Sequence, residues 1–206
     1  MHSTSTFELS QAAEANFPTE YGQFRIYGFE GRSHRAGKTH LEEAVVLTMG
    51  DLSGPPPLLR IHSQCLTGDV FHSLRCDCRA QLEIALEEIG REGRGLIIYE
   101  HQEGRGIGLM NKLRAYELQD HGADTVEANE QLGFESDLRK YHLPGAILTH
   151  FGIPSVRLLS NNPAKVKALE VAGITVTERV PCIAVAHDSR KAYLETKREK
   201  MGHLLG

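Results

Sequence analysis

Cys65, Cys76 and Cys78 restrict this chain more than any other residues. Three of its four cysteines fall in the stretch from Arg60 to Cys78, which reads as a strand end, a Gly68-Asp69 turn and the start of a helix. Three soft thiolates this close suit Zn²⁺, with a fourth position left to water in a catalytic-type site. A closed structural finger would show a fourth Cys or His at short spacing, and Cys-x-x-Cys where this chain has Cys-x-Cys. His62 and His72 are the neighbours able to close the site. The competing reading is a set of buried, unligated cysteines. Asp69, His72, Arg75 and Asp77, interleaved with them, make a poor apolar core stretch.

The 206 residues are enough for one sizeable domain with its own core. A formal net charge of -4 gives no support to a nucleic-acid surface, which shows as a basic excess. No apolar run approaches the roughly 18 residues that span a bilayer. The start, Met1 to Thr6, lacks the basic and apolar regions of a signal peptide. Four cysteines, three of them bunched, are not a disulfide framework for a chain this long. The expectation is a cytoplasmic protein with neither nucleic acid nor membrane as partner.

Residues 1–16 are polar and read as a flexible segment ahead of a single catalytic domain over 17–206. Thr19 to Glu30 reads as strand, turn, strand with Tyr21-Gly22 at the turn, and Gly31 to Lys38 as a basic loop. Ala44–Met49 and Leu58–His62 read as strands. Leu82, Ala85, Leu86 and Ile89 follow a helical period that Gly90 and Gly93 stop. Gly95–Tyr99 is a short strand of the fully buried kind. The loop Glu103-Gly104-Arg105-Gly106-Ile107-Gly108 leads into a helix carrying Leu109, Leu113 and Tyr116. It fits neither P-loop nor Rossmann spacing, although a helix start favours an anion. A polar segment follows at 124–129, then a helix over about 143–151 and a strand at 156–159. Asn162-Pro163 caps a helix that Gly173 ends, a strand covers 174–176, and a polar helix after His187 finishes the chain. Strand and helix alternate from Leu58 onward and the N-terminal strands are antiparallel. That pattern predicts an α/β class fold, a layered α/β/α single domain with a mixed, partly parallel sheet.

His62-Ser63-Gln64-Cys65-Leu66-Thr67-Gly68-Asp69, followed by Ser73-Leu74-Arg75-Cys76-Asp77-Cys78, resembles the zinc motif of GTP cyclohydrolase II. The resemblance continues through Gln102–Gly108, Arg114-Ala115-Tyr116, Asp124–Asn129, Gln131–Phe134, Asp137-Leu138-Arg139, Leu158–Pro163 and the tail Lys200–Leu205. It covers about residues 17–205 in order, with no stretch over for a dihydroxybutanone phosphate synthase domain. It implies one Zn²⁺ per chain on Cys65, Cys76 and Cys78, with Mg²⁺ on the substrate phosphates. It further implies GTP contacts from Arg60, Ile61, His62, Ser63, Gln64, Gln81, Glu103, Gly104, Arg105, Thr125, Ser160 and Lys165. Asp137 is then the proton acceptor and Arg139 the nucleophile toward the α-phosphorus. The implied products are formate, pyrophosphate and 2,5-diamino-6-ribosylamino-4(3H)-pyrimidinone 5′-phosphate, at the first step of riboflavin biosynthesis, in a homodimer.

The chemistry asks for such residues. Opening the imidazole ring needs water at C8, which a three-thiolate zinc can activate at neutral pH. Tyr116 is the candidate to assist; its other reading is a core aromatic on a helix face. Pyrophosphate loss needs cations, and Arg60, Arg105, Arg139 and Lys165 can supply them. Glu103 suits the N1-H and 2-amino protons of guanine, or serves only as a helix-start acid. Arg139 as nucleophile conflicts with a guanidinium pKa above about 12, and a phosphate clamp paired with Asp137 competes with that role. Gln64 stands where the family often has Glu, and Ser160 where Thr is common. A nucleotide deaminase would need His-x-Glu and Pro-Cys-x-x-Cys, which His62-Ser63-Gln64 and Cys76-Asp77-Cys78 do not match. A related zinc GTP hydrolase of a secondary pathway, stopping at a formylamino intermediate, would use the same residues. So would a non-catalytic zinc module that binds a nucleotide.

Overall fold

The computed structural model describes residues 7–35, 38–135, 138–139, 141–184, 195–199 and 202–204. In chain order they form β1 (Phe7–Thr19), β2 (Gly22–Arg35), β3 (Lys38–Met49), β4 (Leu58–Ser63), α1 (Leu66–Asp69) and α2 (Cys78–Glu92). There follow β5 (Gly95–Glu100), a 3₁₀ turn (Glu103–Gly106), α3 (Leu109–Asp120), α4 (Thr125–Gln131), α5 (His142–His150), β6 (Ser155–Leu159), α6 (Pro163–Val171) and β7 (Thr175–Val180). The seven strands make one sheet in the order β1-β2-β3-β5-β4-β6-β7. The pairs β1-β2, β2-β3 and β3-β5 are antiparallel, whereas β5-β4, β4-β6 and β6-β7 are parallel.

Alternation along the central strands sorts the core into two layers. Leu59 and Ile61 of β4 and Leu96 and Ile98 of β5 point to one face, where Leu143, Ile147 and Leu148 of α5 and Leu169 of α6 cover them. Leu58, Ile97 and Leu159 point to the other face, against Ala85 and Ile89 of α2. Both faces are covered, so β5 is apolar from Leu96 to Ile98, whereas β4 carries the buried Arg60 and His62 among its apolar residues. The expected α/β/α layering with a mixed sheet is the observed one.

Three expectations are corrected. Residues 7–16 are not a loose segment: they belong to β1, which pairs with β2 from Phe7↔Ser33 to Thr19↔Gly22 with a bulge between Gln11 and Ala13. Most of this edge strand is exposed on both faces, so it shows no alternating pattern. The proposed loop at 31–38 is largely strand, since β2 runs to Arg35 and β3 starts at Lys38. The polar segment at 124–129 is α4, started by a capping box in which Asp124 accepts from Val126 and Glu127 N–H while the Glu127 side chain accepts from Asp124 N–H. Residues 195–199 are helical, whereas 185–194, where the last helix was expected to begin, lie outside the described residues.

The hairpin turn between β1 and β2 sits against α2. A Cβ at Gly90 would lie 2.4 Å from the Tyr21 carbonyl oxygen. Gly→Ala inside a helix normally stabilises by about 1 kcal/mol. Gly90→Ala is expected to reverse that sign and destabilise by roughly 1–3 kcal/mol, because backbone must move. A denaturant titration checks this, and a raised midpoint would show that α2 and the turn separate freely.

Candidate active site

The parallel strands β4, β5 and β6 end on the same side, and a cavity of about 480 Å³ opens there, lined by residues that follow each of them. That is the position at which open α/β sheets bind ligands.

The cysteine loop begins at the end of β4. Gln64 N donates to Glu100 O at 2.8 Å, after which the chain folds into the single turn of α1. Asp69, at the end of that turn, holds it shut: its carboxylate accepts from Cys65 N at 3.0 Å and Tyr99 Oη at 2.8 Å. His62 Nε2 lies 3.2 Å from Asp69 Oδ1, with the imidazole stacked on the Tyr99 ring. Burial pushes His62 below its ordinary pKa, although Asp69 opposes it. A neutral His62 that donates to Asp69 is not a metal ligand through that nitrogen, and its buried Nδ1 has no partner among the described residues. His72 is likewise engaged, with Nε2 at 2.6 Å from an Arg79 guanidinium nitrogen.

The Sγ atoms of Cys65 and Cys76 are 3.6 Å apart, and the three thiol sulfurs lie within 4.8 Å of one another. Tetrahedral Zn–S bonds of about 2.3 Å set S···S edges of roughly 3.8 Å, so the cluster fits zinc. Among the described residues no fourth His, Cys, Asp or Glu joins it. Gly68 is the floor of the cluster: a Cβ there would stand 2.8 Å from Cys76 Sγ and 3.1 Å from Cys65 Sγ. Lys112 Nζ donates to Cys65 Sγ at 3.1 Å. Hydrogen bonds from Cys76 and Cys78, with Lys112 alongside, hold the Cys65 thiol well below its ordinary value.

Lys112 also donates to Glu103 Oε1 at 2.7 Å, while Glu103 Oε2 accepts from Leu66 N at 2.7 Å. Glu103 therefore ties the Gly-rich turn to the cysteine loop, and both of its oxygens have protein partners. Tyr116 Oη is 3.1 Å from Thr67 Oγ1, and burial raises its pKa, so it stays a phenol. It lines the cavity and is not a core aromatic. The Gly-rich turn holds Gly104 and Arg105 both left-handed, at φ 61° and 59°. That is uncommon for an arginine. Both terminal guanidinium nitrogens of Arg105 are buried without partners among the described residues.

Beyond them the cavity is cationic. Arg60, 5% exposed, donates to Leu159 O at 2.9 Å and to Gln81 Oε1 at 2.6 Å. Gln81 Nε2 donates to Asp77 Oδ2 at 2.6 Å, and Lys197 Nζ donates to Asp77 Oδ1 at 2.8 Å. Lys165 Nζ donates to Ile61 O at 2.7 Å; burial, then Arg60 and Arg139, holds its pKa well below the lysine range. Arg139 and Lys165 both face the Tyr141 ring, at 5.5 Å each. Glu100, fully buried, is pushed up to about 7 by burial, although Lys165 and Arg139 oppose this.

Of the residues singled out in the sequence, Ser63, Gln64 and Ser160 also line this cavity, beside Arg60, His62, the three cysteines, Gln81 and Glu103. Gly104, Arg105, Tyr116, Arg139 and Lys165 line it too. Ile61 does not: its side chain is wholly in the core, and only its carbonyl reaches Lys165. Thr125 starts α4, but its side chain lies outside the described residues, as does Asp137. No role in the site was legible in sequence for Asp69, Tyr99, Lys112, Lys197 or His203. Asp77 stood out in sequence only as an acid wedged between two cysteines, with no role in the site assigned to it.

The family model described as GTP cyclohydrolase II matches residues 10–181. A protein named GTP cyclohydrolase-2 from Shewanella amazonensis is 52% identical over 198 residues, covering 96% of this chain and 94% of its own. One of the same name from Pseudomonas paraeruginosa is 54% identical over 195 residues (94% and 92%), and one from Escherichia coli O9:H4 is 53% identical over 199 (96% and 98%). Among solved structures, a two-domain 3,4-dihydroxy-2-butanone 4-phosphate synthase from A. baumannii aligns at a TM-score of 0.45 with 16% identity, over 87% of this chain and 40% of that one. No described helix is long and apolar enough to cross a membrane.

Gly68→Ala is expected to spread the three sulfurs and weaken Zn²⁺ binding by about tenfold or more, the range seen when the support around metal ligands is disturbed. Chelator competition measures it, and unchanged affinity would show that the loop accommodates the methyl group.

Proposed function

The chain belongs to the GTP cyclohydrolase II family, and from that premise we propose that it opens the guanine imidazole ring of GTP by zinc-dependent hydrolysis. The products are formate, pyrophosphate and 2,5-diamino-6-ribosylamino-4(3H)-pyrimidinone 5′-phosphate, at the first step of riboflavin biosynthesis. The observation that carries the reading is that one cavity joins an open three-thiol cluster to a wall of buried cations.

Cys65, Cys76 and Cys78 would hold the zinc, which supplies a Lewis acid and an activated water for attack at C8. The Tyr116 phenol, kept protonated and anchored by Thr67, offers a proton at the purine end. Glu103 fixes the wall on which guanine rests, and its carboxylate is engaged in doing so. Arg105 brings two unpartnered N–H-bearing nitrogens to the triphosphate, and Arg60 brings an unpartnered Nε. Lys165 and Arg139 add charge, with Mg²⁺ arriving on the phosphates. Arg139 acts as an electrostatic clamp, since a protonated guanidinium has no free lone pair. Ser160 accepts from Asn162 N at 3.1 Å, which leaves its hydroxyl proton for substrate. The working unit is a homodimer, a reading supported by exposed Phe17 and Leu41 on the antiparallel wing; a monomer mass in analytical ultracentrifugation at working concentration overturns this part.

Incubation with GTP, Mg²⁺ and Zn²⁺, with formate and pyrophosphate assayed separately, tests the activity. Wild type should release both, and absence of formate overturns the reading. Folded Cys76→Ser should lose formate release but keep some pyrophosphate release, because Asp77 and its partners are untouched. Arg139→Ala should lose pyrophosphate release. If Cys76→Ser releases neither product, the metal end also organises the phosphate end.

A further inference from the structure

The C-terminal tail comes back onto the site. Two backbone bonds hold it: His203 N donates to Lys197 O at 3.1 Å and Leu204 N to Asn161 O at 3.0 Å. Asn161 follows β6 directly beside Ser160, so the tail is fastened to a loop that already lines the cavity. Lys197 is in turn fastened to Asp77. His203 thereby becomes part of the cavity wall.

Its environment restricts what it can bind. His203 Nε2 is buried and has no hydrogen-bond partner among the described residues. Burial, then Lys197, Arg139, Lys165 and Arg105, pushes the imidazole down to about 3, so it is neutral. Lysine and arginine side chains carry donors and no acceptor. With the proton on Nε2, the imidazole has no acceptor among the described residues, whereas an anion entering the cavity brings acceptor oxygens and neutralises the same cations. A buried polar atom left unpartnered is costly, and a ligand that satisfies it recovers that cost.

We propose that His203 is a substrate-binding residue that donates from Nε2 to a phosphate oxygen of the nucleoside triphosphate, which makes the C-terminal tail a wall of the phosphate subsite. This rests on the GTP reading above for the identity of the nucleotide, but not for the anion contact itself. The imidazole supplies a neutral, directional donor among point charges. It adds geometry to the subsite without adding to the mutual repulsion of Arg105, Arg139, Lys165 and Lys197.

The test uses the full chain loaded with zinc, and titrates pyrophosphate and, separately, guanosine by calorimetry. Wild type should bind both. His203→Ala should weaken pyrophosphate by about tenfold or more, the effect of losing one hydrogen bond to a charged group, and leave guanosine unchanged. His203→Gln, which keeps an amide donor, should recover part of the loss. The proposal is overturned if folded His203→Ala binds pyrophosphate like wild type, if both ligands weaken equally, or if wild type binds no pyrophosphate. Should His203→Ala not fold, His203→Gln against His203→Leu decides by the same comparison. A wild type that releases no formate from GTP yet shows the selective pyrophosphate loss would remove the GTP reading and keep the contact. A wild type that releases formate, with no selective loss in the variants, would do the opposite.

Discussion

Asp77 is the residue on which the two ends of the site depend. It is 2% exposed and stands between two members of the cysteine cluster. Its two oxygens accept from Gln81 and Lys197, and Gln81 in turn accepts from Arg60. Burial pushes its carboxyl up, but Lys197 and Arg60 outweigh burial and hold it below the usual range. A buried carboxylate without such partners would be strongly destabilising, so each member of the chain is needed by the next. One short segment thus sets the positions of the thiols on one side and of the cations on the other.

Asp69 does for the first half of the loop what Asp77 does for the second. It closes α1 on itself through Cys65 N and anchors it to β5 through Tyr99. Glu103 and Lys112 add a third tie, from the Gly-rich turn and α3 to Leu66 and Cys65. The cysteine loop is therefore held by groups from three separate elements, although it contains only one turn of helix. Loops that carry function are commonly held in this way by a rigid scaffold. Here the scaffold is the parallel half of the sheet, packed on both faces.

Charge is distributed unevenly across the cavity. Around the thiols, Lys112 is the close cation, and its charge is answered by Glu103. At the far end stand buried Arg60, Lys165 and Lys197, with Arg139 and Arg105; Lys197 is paired with Asp77, and the nearby Glu100 has its own carboxyl pushed up to about 7. Such an excess in a low-dielectric wall is costly by itself. An anion of several charges in the space would answer it.

The sequence alone determined the features that depend on neighbours in the chain. The spacing of Cys65, Cys76 and Cys78 on a strand-turn-helix stretch, the Asn162-Pro163 helix start, the period of α2 and the apolar run of β5 are all local signals. Binary patterning of buried parallel strands is strong enough to give the layered α/β/α architecture. β1 escaped notice because both its faces are largely exposed and its partner strand supplies its order. α4 escaped because its capping box is followed by too few apolar residues to show a period. Only the tertiary structure decided that Lys197, 120 residues away, neutralises Asp77, and that His203 reaches the cavity from the end of the chain. Those pairings are set by how the sheet brings distant segments together, and a side chain carries no mark in sequence of the partner it will meet across that distance.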